Sequence, residues 1–307
     1  MPATLQIRHA ADLLTAVPYL IGYHPDDGVV LIGMRDGLVH LALCAGDPAV
    51  TATLCRGHGA NAAFVIGYGA DVPDAAANAA TVADELRLAG VRVLAEIRVH
   101  QGHYWRVSEP LRRYALPASS VAAATATFHG LRALPSRAAM VAELAAVTGA
   151  ERAAMTDATR RAEARMAELD EREPGEDRFA RLVRRAGAAA VREAERRHRA
   201  GGRMPDDTAA WLTVLLVSPA VFAYAWTRLT DDQQSLWTDL VRRADQAYVC
   251  APACLLGFLT WRGGQGALAR MALDRALAAD PDHEMARLLS EVMYRAEPPA
   301  TDKQRAA

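Results

Sequence analysis

The first 116 residues carry short apolar runs of strand length, separated by segments with the three-and-four spacing of helices. Residues 29–34 and 38–44 are two such runs, and they flank Arg35-Asp36-Gly37. Asp-Gly between two apolar runs is a strong signal for a β-hairpin. Residues 63–68 form a continuous apolar run, which is typical of a strand buried on both faces. In residues 91–99 apolar and polar side chains alternate, and all the apolar ones are expected on one face.

Helices are predicted between these strands. Residues 10–22 place Leu13, Leu14 and Val17 on one side of a helix, and residues 47–57 and 71–88 have a similar spacing. Residues 4–8 are expected to form a first short strand. This alternation predicts an α/β domain over residues 1–116, a mixed sheet with flanking helices.

After Pro117 the pattern is almost entirely helical. We expect a helical connector over residues 117–177, which ends in a linker that contains Pro174-Gly175. An all-α helical domain is expected over 178–296, and residues 297–307 are expected to be a disordered tail. The predicted fold class is therefore an α/β N-terminal domain followed by an all-α C-terminal domain.

One local pattern stands out in the helical part, a predicted hairpin over residues 252–281. Its small and helix-breaking residues match the spacing of a single tetratricopeptide unit; they are Leu256, Gly257, Gly264, Ala269, Ala276 and Pro281. Small residues let paired helices approach, and Gly264 separates predicted helices at 252–262 and 266–279. A generic helical hairpin explains the pattern equally well. Either form offers a surface for a protein partner.

The charge balance limits the classes of partner. The formal net charge is −1, which excludes a bulk electrostatic partner such as non-specific DNA. Residues 181–203 hold eight arginines and two glutamates. A solvated helix surface is the favoured interpretation of this stretch, and a polyanion-binding face is the alternative. Without interleaved aromatic residues for stacking, no specific nucleic acid is expected.

Cysteine usage and hydropathy indicate a reduced, cytoplasmic protein. The four cysteines form no CxxC pair, and Cys250 and Cys254 are spaced to be small apolar residues of a helical core. No signal-peptide pattern is found at the start. Residues 208–227 are uncharged and long enough to span a membrane, but Ser218-Pro219 interrupts them. Two buried helices are therefore expected here, with no membrane insertion.

The chain resembles a known family through its end motifs. These are Asp12-Leu-Leu-Thr-Ala-Val-Pro-Tyr-Leu-Ile-Gly-Tyr-His-Pro25 and Ala272-Leu-Asp-Arg-Ala-Leu-Ala-Ala-Asp-Pro281. They are similar to the actinobacterial domain-of-unknown-function 4192 family over nearly the whole chain. The resemblance implies an actinobacterial origin and no particular activity. Gly28 stands where family members tend to carry serine, and residues 106–118 lack the family's cysteine-rich loop.

No standard catalytic signature is present, and two loops carry the candidate chemistry. In Tyr23-His24-Pro25-Asp26-Asp27, either the residues form a plain turn, or His24 acts as a general base or ligand donor beside Asp26 or Asp27. The segment Gly67-Tyr68-Gly69 follows a strand and precedes a helix. Such a turn can bind phosphate, but the acidic helix start favours a structural tight turn.

Strand direction brings these loops together. If strands 38–44, 63–68 and 91–99 are parallel, their carboxyl ends share one sheet edge, where ligands of open α/β sheets bind. The candidate ligand-binding residues at this edge are Tyr23, His24, Gly67, Tyr68, Gly69, His100, Tyr104 and Trp105. His100 and His103 flank a turn, but we expect no metal there.

The sequence therefore predicts a non-catalytic protein that senses a small molecule or acts as an adaptor. The alternative is a hydrolase or transferase that uses His24 with Asp26 or Asp27. A buried His24 beside a carboxylate would favour the enzyme, and an exposed loop would favour the adaptor. The sequence indicates no cofactor and no oligomeric state.

Overall fold

The structure is a computed structural model that describes residues 9–70, 72–128, 131–172 and 176–294. The strand expected at residues 4–8, the tail at 297–307 and the Pro174-Gly175 linker lie outside the described residues. The chain divides into two compact units. Of the described residues, the first contains 9–140, 265–267 and 291–294, and the second contains 141–264 and 268–290.

The first unit is built on a six-stranded mixed sheet, as the sequence predicts. Its strand order is β2-β1-β3-β4-β5-β6. The strands are β1 (Gly28–Arg35), β2 (Leu38–Ala45), β3 (Ala62–Tyr68), β4 (Arg92–His100), β5 (His103–Arg106) and β6 (Tyr114–Ala115). β1 is antiparallel to both of its neighbours, and β3 is parallel to β4.

Two tight hairpin turns set the register of the sheet. Asp36 and Gly37 join β1 to β2 with positive φ values of 52° and 79°, and Gln101 and Gly102 join β4 to β5 with values of 46° and 70°. Positive φ at both central residues is the geometry whose twist matches that of the flanking strands. The hairpin predicted at Asp36-Gly37 is therefore confirmed.

Helices cover both faces of the sheet. They are α1 (Ala10–Ile21), α2 (Pro48–Gly57), α3 (Val72–Leu88) and α4 (Val121–Phe128). Residues of α2 and α3 share one apolar core with alternate residues of the strands, including Leu31 and Val65. α1 packs against α4 around Ala16 and Ala126. On β2, Leu43 and Ala45 face α2 and α3. Cys44 between them points to the other face of the sheet, where it contacts Tyr23 at the end of α1. α1 therefore lies on the face opposite to α2 and α3.

A β-bulge in β4 overturns one expectation from the sequence. Val93 lies opposite Ala63, but Ala95 lies opposite Phe64, so Leu94 is an extra residue in the ladder. Val93 consequently packs on the α3 face, while Ile97 pairs with Ile66 on the other face. The prediction that all apolar residues of 91–99 share one face is therefore wrong, because the bulge shifts the alternation by one residue.

The described residues after α4 are mostly helical, as predicted. Its helices are α5 (Arg137–Glu143), α6 (Gly149–Arg172), α7 (Glu176–Arg199), α8 (Asp206–Leu215), α9 (Pro219–Trp226), α10 (Gln234–Arg243), α11 (Cys250–Arg262), α12 (Gly266–Ala279) and α13 (Glu284–Tyr294). Within the second unit, α8 packs on α6 and α7, and α11 packs on α10.

The uncharged segment 208–227 is broken at the predicted place. α8 and α9 meet at a bend of 110°, directly before Pro219. Residues 209–215 of α8 are all buried, as expected. α9 buries only Val221 and Ala225, and Val217 before it is 63% exposed. The expectation that both helices are buried is therefore wrong for α9, because one side of this helix, with Pro219, Ala220 and Ala223, faces solvent. Among the described residues, no single helix has both the length and the apolar character needed to cross a membrane. This bent pair meets both criteria only when its two helices are taken together.

The helices predicted at 252–262 and 266–279 are present as α11 and α12. Cys250 at the start of α11 donates to the carbonyl of Ala276 near the end of α12, and Gly257 lies beside Leu273 and Ala269. The two helices therefore run antiparallel. A side chain at Gly257 would meet the end of the Leu273 side chain at 3.0 Å, a tight contact that the glycine avoids. Cys250 and Cys254 are buried, as expected of core residues.

Candidate functional site

The sheet brings four strand ends to one edge. β2 and β3 are both antiparallel to β1 and so run in the same direction, and β4 is parallel to β3. The strand directions predicted from the sequence are therefore confirmed. Across this edge Gly28 pairs with Tyr68, Tyr68 with Val99, and Val99 with Tyr104.

Tyr23 reaches this edge from the end of α1. Gly22 ends the helix with a φ of 89°, and the chain then pairs with Leu134 through two backbone hydrogen bonds of 2.9 Å. This pairing fixes the direction in which Tyr23 leaves the helix. Its ring is buried, and its hydroxyl lies 2.9 Å from the sulfur of Cys44 at the end of β2. Either atom can donate this hydrogen bond.

Tyr68 lies on the same face of the sheet, two strands from Cys44. Its side chain is only 6% exposed. Within the described part of the chain its hydroxyl has no hydrogen-bond partner, and it is not one of the described polar atoms that are both buried and unpaired, so solvent reaches it. Gly28 separates Tyr68 from β2, and no atom lies within 4 Å of where a Gly28 side chain would begin. Open space therefore borders the hydroxyl of a tyrosine whose ring is buried. We call Tyr23, Cys44 and Tyr68 the sheet-edge cluster.

All three groups of the sheet-edge cluster stay protonated at neutral pH. Burial, and then the hydrogen bond with Cys44, raise the pKa of Tyr23. Burial raises the pKa of Tyr68 as well. Desolvation of the sulfur raises the pKa of Cys44 although much of the residue is exposed, and Tyr23 and the positive charge of Arg137 oppose this shift. The cluster thus offers neutral hydrogen-bonding groups rather than an ionised nucleophile.

The loop that carries His24 lies open to solvent. His24, Asp26 and Asp27 are all exposed. Asp27 accepts a hydrogen bond of 2.8 Å from the backbone N–H of Gly28, which is the contact of a turn residue. The backbone N–H of His24 donates to Leu134. No side-chain hydrogen bond joins His24 to either aspartate within the described ranges.

Gly67 has a packing role in the structure. A side chain at this position would meet the backbone oxygen of Ala75 at 2.7 Å, so the glycine lets the first turn of α3 lie directly on β3. This side of β3 is opposite to the side that carries Tyr68. Gly69 continues the chain with a φ of 152°. The residue that follows Ala70, Asp71, lies outside the described residues.

The remaining predicted site residues lie on the β4–β5 hairpin. His100 pairs with His103 across the turn. Tyr104 is buried in the same row as Tyr68 and stacks on Tyr114 at 5.0 Å. Trp105 points to the other face, where the guanidinium of Arg98 lies 4.5 Å from its ring centre. The structure thus groups Tyr104 with the face of the cluster and separates Trp105 from it.

Two further features bear on where a ligand could bind. No group of three His, Cys, Asp or Glu in the described chain is arranged to hold a metal ion. A cleft of about 670 Å³ lies toward the opposite end of the sheet and is lined in part by Phe64, Leu94 and Val107. Its Arg87 and Glu96 neutralise each other in an ion pair. Since the cleft borders His9, where the described chain begins, the sheet-edge cluster is the better-defined candidate.

Cys44 and Arg137 are the residues of this site that sequence reasoning missed. Cys44 lies in an apolar run of the sequence, where nothing distinguishes it from a core residue. Its proximity to Tyr23 depends on how α1 crosses the sheet. One signal was available: the Asp36-Gly37 turn places residue 44 near Val30, at the edge that the Tyr23 loop reaches. Nothing local in the sequence places Arg137 near this edge.

The profile of the family described as domain of unknown function (DUF4192) matches residues 11–300. The chain belongs to this family. Neither a curated protein nor a solved structure matches the chain significantly. The match spans both compact units, so the sheet-edge cluster and the helical unit belong to one family architecture. The family description states no activity, and function must be argued from the geometry of this DUF4192 member.

Proposed function

We propose that this DUF4192 protein is a non-catalytic binding protein, which accepts a small molecule at the sheet-edge cluster and a protein partner on its helical unit. One observation supports the first part most strongly. The ring of Tyr68 is buried, and its hydroxyl lies beside open space without a partner within the described residues. A tyrosine whose ring is held by packing presents its hydroxyl in a fixed direction, where it can hydrogen-bond a ligand atom in that space.

The chemistry of the cluster favours binding over catalysis. Tyr23 and Cys44 already satisfy each other, and both hold their protons at neutral pH. The Tyr68 hydroxyl is then the neutral group of the cluster that can donate a hydrogen bond to an acceptor atom of a ligand. The expected ligand is a small molecule with a carbonyl or carboxylate oxygen for Tyr68. The positive charge of Arg137, which acts on both Tyr23 and Cys44, also suits such an oxygen.

The alternative of a hydrolase or transferase rests on His24 with Asp26 or Asp27. A general base needs a partner that orients its ring and a site from which water is excluded. Both requirements argue against the alternative, since His24 is exposed and Asp27 is used by the turn.

The second part of the proposal concerns the α11–α12 hairpin. Its antiparallel packing around Gly257 and Ala276 supports the interpretation of one tetratricopeptide-like unit, a module that commonly presents a protein-binding surface. We also propose an actinobacterial source and a cytoplasmic location. They are supported by the arginine bias of a chain whose only lysine is Lys303, and by the free cysteines of the described chain.

Native mass spectrometry of the protein purified from its own host tests the small-molecule site. We expect a bound species that survives gentle ionisation and is lost in Tyr68→Phe, which removes only the hydroxyl. Tyr19→Phe is the matched control, because the Tyr19 hydroxyl makes no hydrogen bond within the described chain. A ligand retained equally by both variants would place the binding site elsewhere. A wild-type protein without any bound species would contradict the small-molecule proposal.

A further inference from the structure

The exposed face of α7 carries a single row of arginines. Each residue of an α-helix advances about 100° around the axis and about 1.5 Å along it. By this geometry, six arginines fall within an arc of about 60° and extend over about 30 Å. We call them the arginine row: Arg178, Arg181, Arg185, Arg192, Arg196 and Arg199.

This row points away from the core of the helical unit. The buried positions of α7 include Val183, Ala190 and Ala194, and helical geometry places them on the opposite side of the helix. All six arginines are exposed. The acidic residues of α7 lie outside the arc. Glu195 is buried and pairs with Arg228, and Glu193 pairs with Arg196 from the flank.

The row is only partly neutralised by its surroundings. Arg192 donates to the hydroxyl of Tyr224, and Arg199 donates to a backbone carbonyl; neither contact removes a charge. Arg181 and Arg185 make no ion pair with any described residue. Like charges in a row on one helix repel each other, so an unoccupied row destabilises the helix slightly. An anionic partner would reverse that effect.

We propose that the arginine row docks an acidic helical segment of a partner protein. This inference rests on the adaptor part of the proposed function and names its surface and its partner chemistry. The charges follow one straight helix axis at spacings of three, four and seven residues, which a second helix with a row of carboxylates reproduces. Ala188 and Ala189 interrupt the row at its middle, and their small side chains let a second helix approach closely.

Nucleic acid is the less favoured polyanion. Contacts to phosphate and sugar commonly mix arginine with hydroxyl and amide donors, and unpaired bases stack on aromatic rings. The arc of the row contains arginine only, and Ala188 and Ala189 border it on either side. The whole chain also carries a net charge of −1, which gives no long-range attraction for an extended polyanion.

The test uses the full chain and a synthetic helical peptide about as long as α7 with one row of glutamates. We expect saturable binding by fluorescence anisotropy, weakened by added salt. Arg185→Glu should lower the affinity about fivefold, and Arg181→Glu with Arg185→Glu by at least about tenfold. Arg184→Glu is the matched control. It is an exposed neighbour that makes no ion pair with the described part of the chain, lies about a quarter turn away from the centre of the row, and should change the affinity less than about twofold.

Three outcomes would overturn the proposal. They are no binding of the peptide at low ionic strength, an equal effect of Arg184→Glu and Arg185→Glu, or tighter binding of duplex DNA than of the peptide. Circular dichroism of each variant establishes that α7 is intact. If the double variant unfolds, Arg181→Gln with Arg185→Gln removes the charges without adding repulsion and decides the same question. Ligand retention at Tyr68 is measured separately, so the two proposals can fail independently.

Discussion

The hydroxyl of Tyr23 lies 2.9 Å from the sulfur of Cys44, and this contact joins the end of α1 to the edge strand β2. The two residues are far apart in sequence and meet because the chain leaves α1 through Gly22 in a left-handed conformation. The contact ties the loop before β1 to the sheet and closes one side of the sheet-edge cluster. It also lowers the pKa of the Cys44 thiol, against the larger and opposite effect of desolvation.

The first prediction concerns the alkylation of Cys44. Desolvation favours the neutral thiol and raises its pKa, so its alkylation rate should still be rising above about pH 8.5, where an ordinary thiol is half ionised. The hydrogen bond from Tyr23 favours the thiolate and opposes this shift. Tyr23→Phe should therefore slow alkylation at pH 8. Iodoacetamide labelling with peptide mass spectrometry measures both effects, and Tyr19→Phe is the control. A wild-type rate that levels off at neutral pH would contradict the prediction.

The second prediction concerns Gly67. Gly67→Ala brings a methyl group to 2.7 Å from the backbone oxygen of Ala75, so α3 must move away from β3. Overpacking of this kind should lower the free energy of unfolding by about 2 kcal/mol. Gly46→Ala is the matched control, because nothing lies within 4 Å of its new methyl group. Urea unfolding midpoints compare the two, and equal midpoints would show that the α3 contact is not needed.

Local turn chemistry explains the parts of the fold that could be predicted from the sequence. Asp36-Gly37 requires positive φ at two successive positions, and that requirement fixed the β1–β2 hairpin and its directions. Gly264 likewise separated α11 from α12. Once strand directions are known, the shared edge of Tyr23, Tyr68 and His100 follows from connectivity alone. These predictions held because each depended on a few adjacent residues.

The predictions that failed, or were never made, depended on tertiary packing. The bulge at Leu94 moves Val93 to the α3 face, and the alternating pattern of β4 gives no sign of an inserted residue. The sequence favours a structural turn at Gly67 over a phosphate-binding one, but it gives no sign of the contact with Ala75 that the small size of Gly67 allows. Cys44 belongs to the candidate site because α1 places Tyr23 beside it, and the position of α1 over the sheet is set by long-range packing.

The third prediction concerns the helical hairpin. Ala276 is fully buried where α12 meets α11, so Ala276→Arg places a charge in an apolar contact. We expect a loss of about 3 kcal/mol or more in the free energy of unfolding. Ala278→Arg is the control on the same helix, because Ala278 is exposed and should change stability by less than about 0.5 kcal/mol. Denaturant titrations followed by circular dichroism measure both, and a tolerated arginine at 276 would refute the packing of this hairpin.

The fourth prediction concerns Arg243, the fully buried cation of the helical unit. Its Nη1 donates to Asp206 at 2.8 Å and to the carbonyl of Met204 at 3.0 Å, and its Nη2 pairs with Asp239. Its Nε is buried without a partner within the described residues. Asp239→Asn leaves the buried cation with a single carboxylate, whereas Arg243→Met removes the buried charge and leaves two partly exposed carboxylates that water can reach.

Removing one partner of a buried pair usually costs more than replacing the ion by an apolar side chain of similar size. We therefore expect Asp239→Asn to lower the free energy of unfolding by about 3 kcal/mol and Arg243→Met by about 1 kcal/mol. Arg203→Met is the surface control: Arg203 also pairs with Asp239, but its side chain is 55% exposed, and the substitution should cost below about 1 kcal/mol. Thermal and urea unfolding of the three variants gives the order. The expected order is contradicted if Arg243→Met lowers the free energy of unfolding the most. In that case the interactions of the Arg243 guanidinium would outweigh the cost of its desolvation.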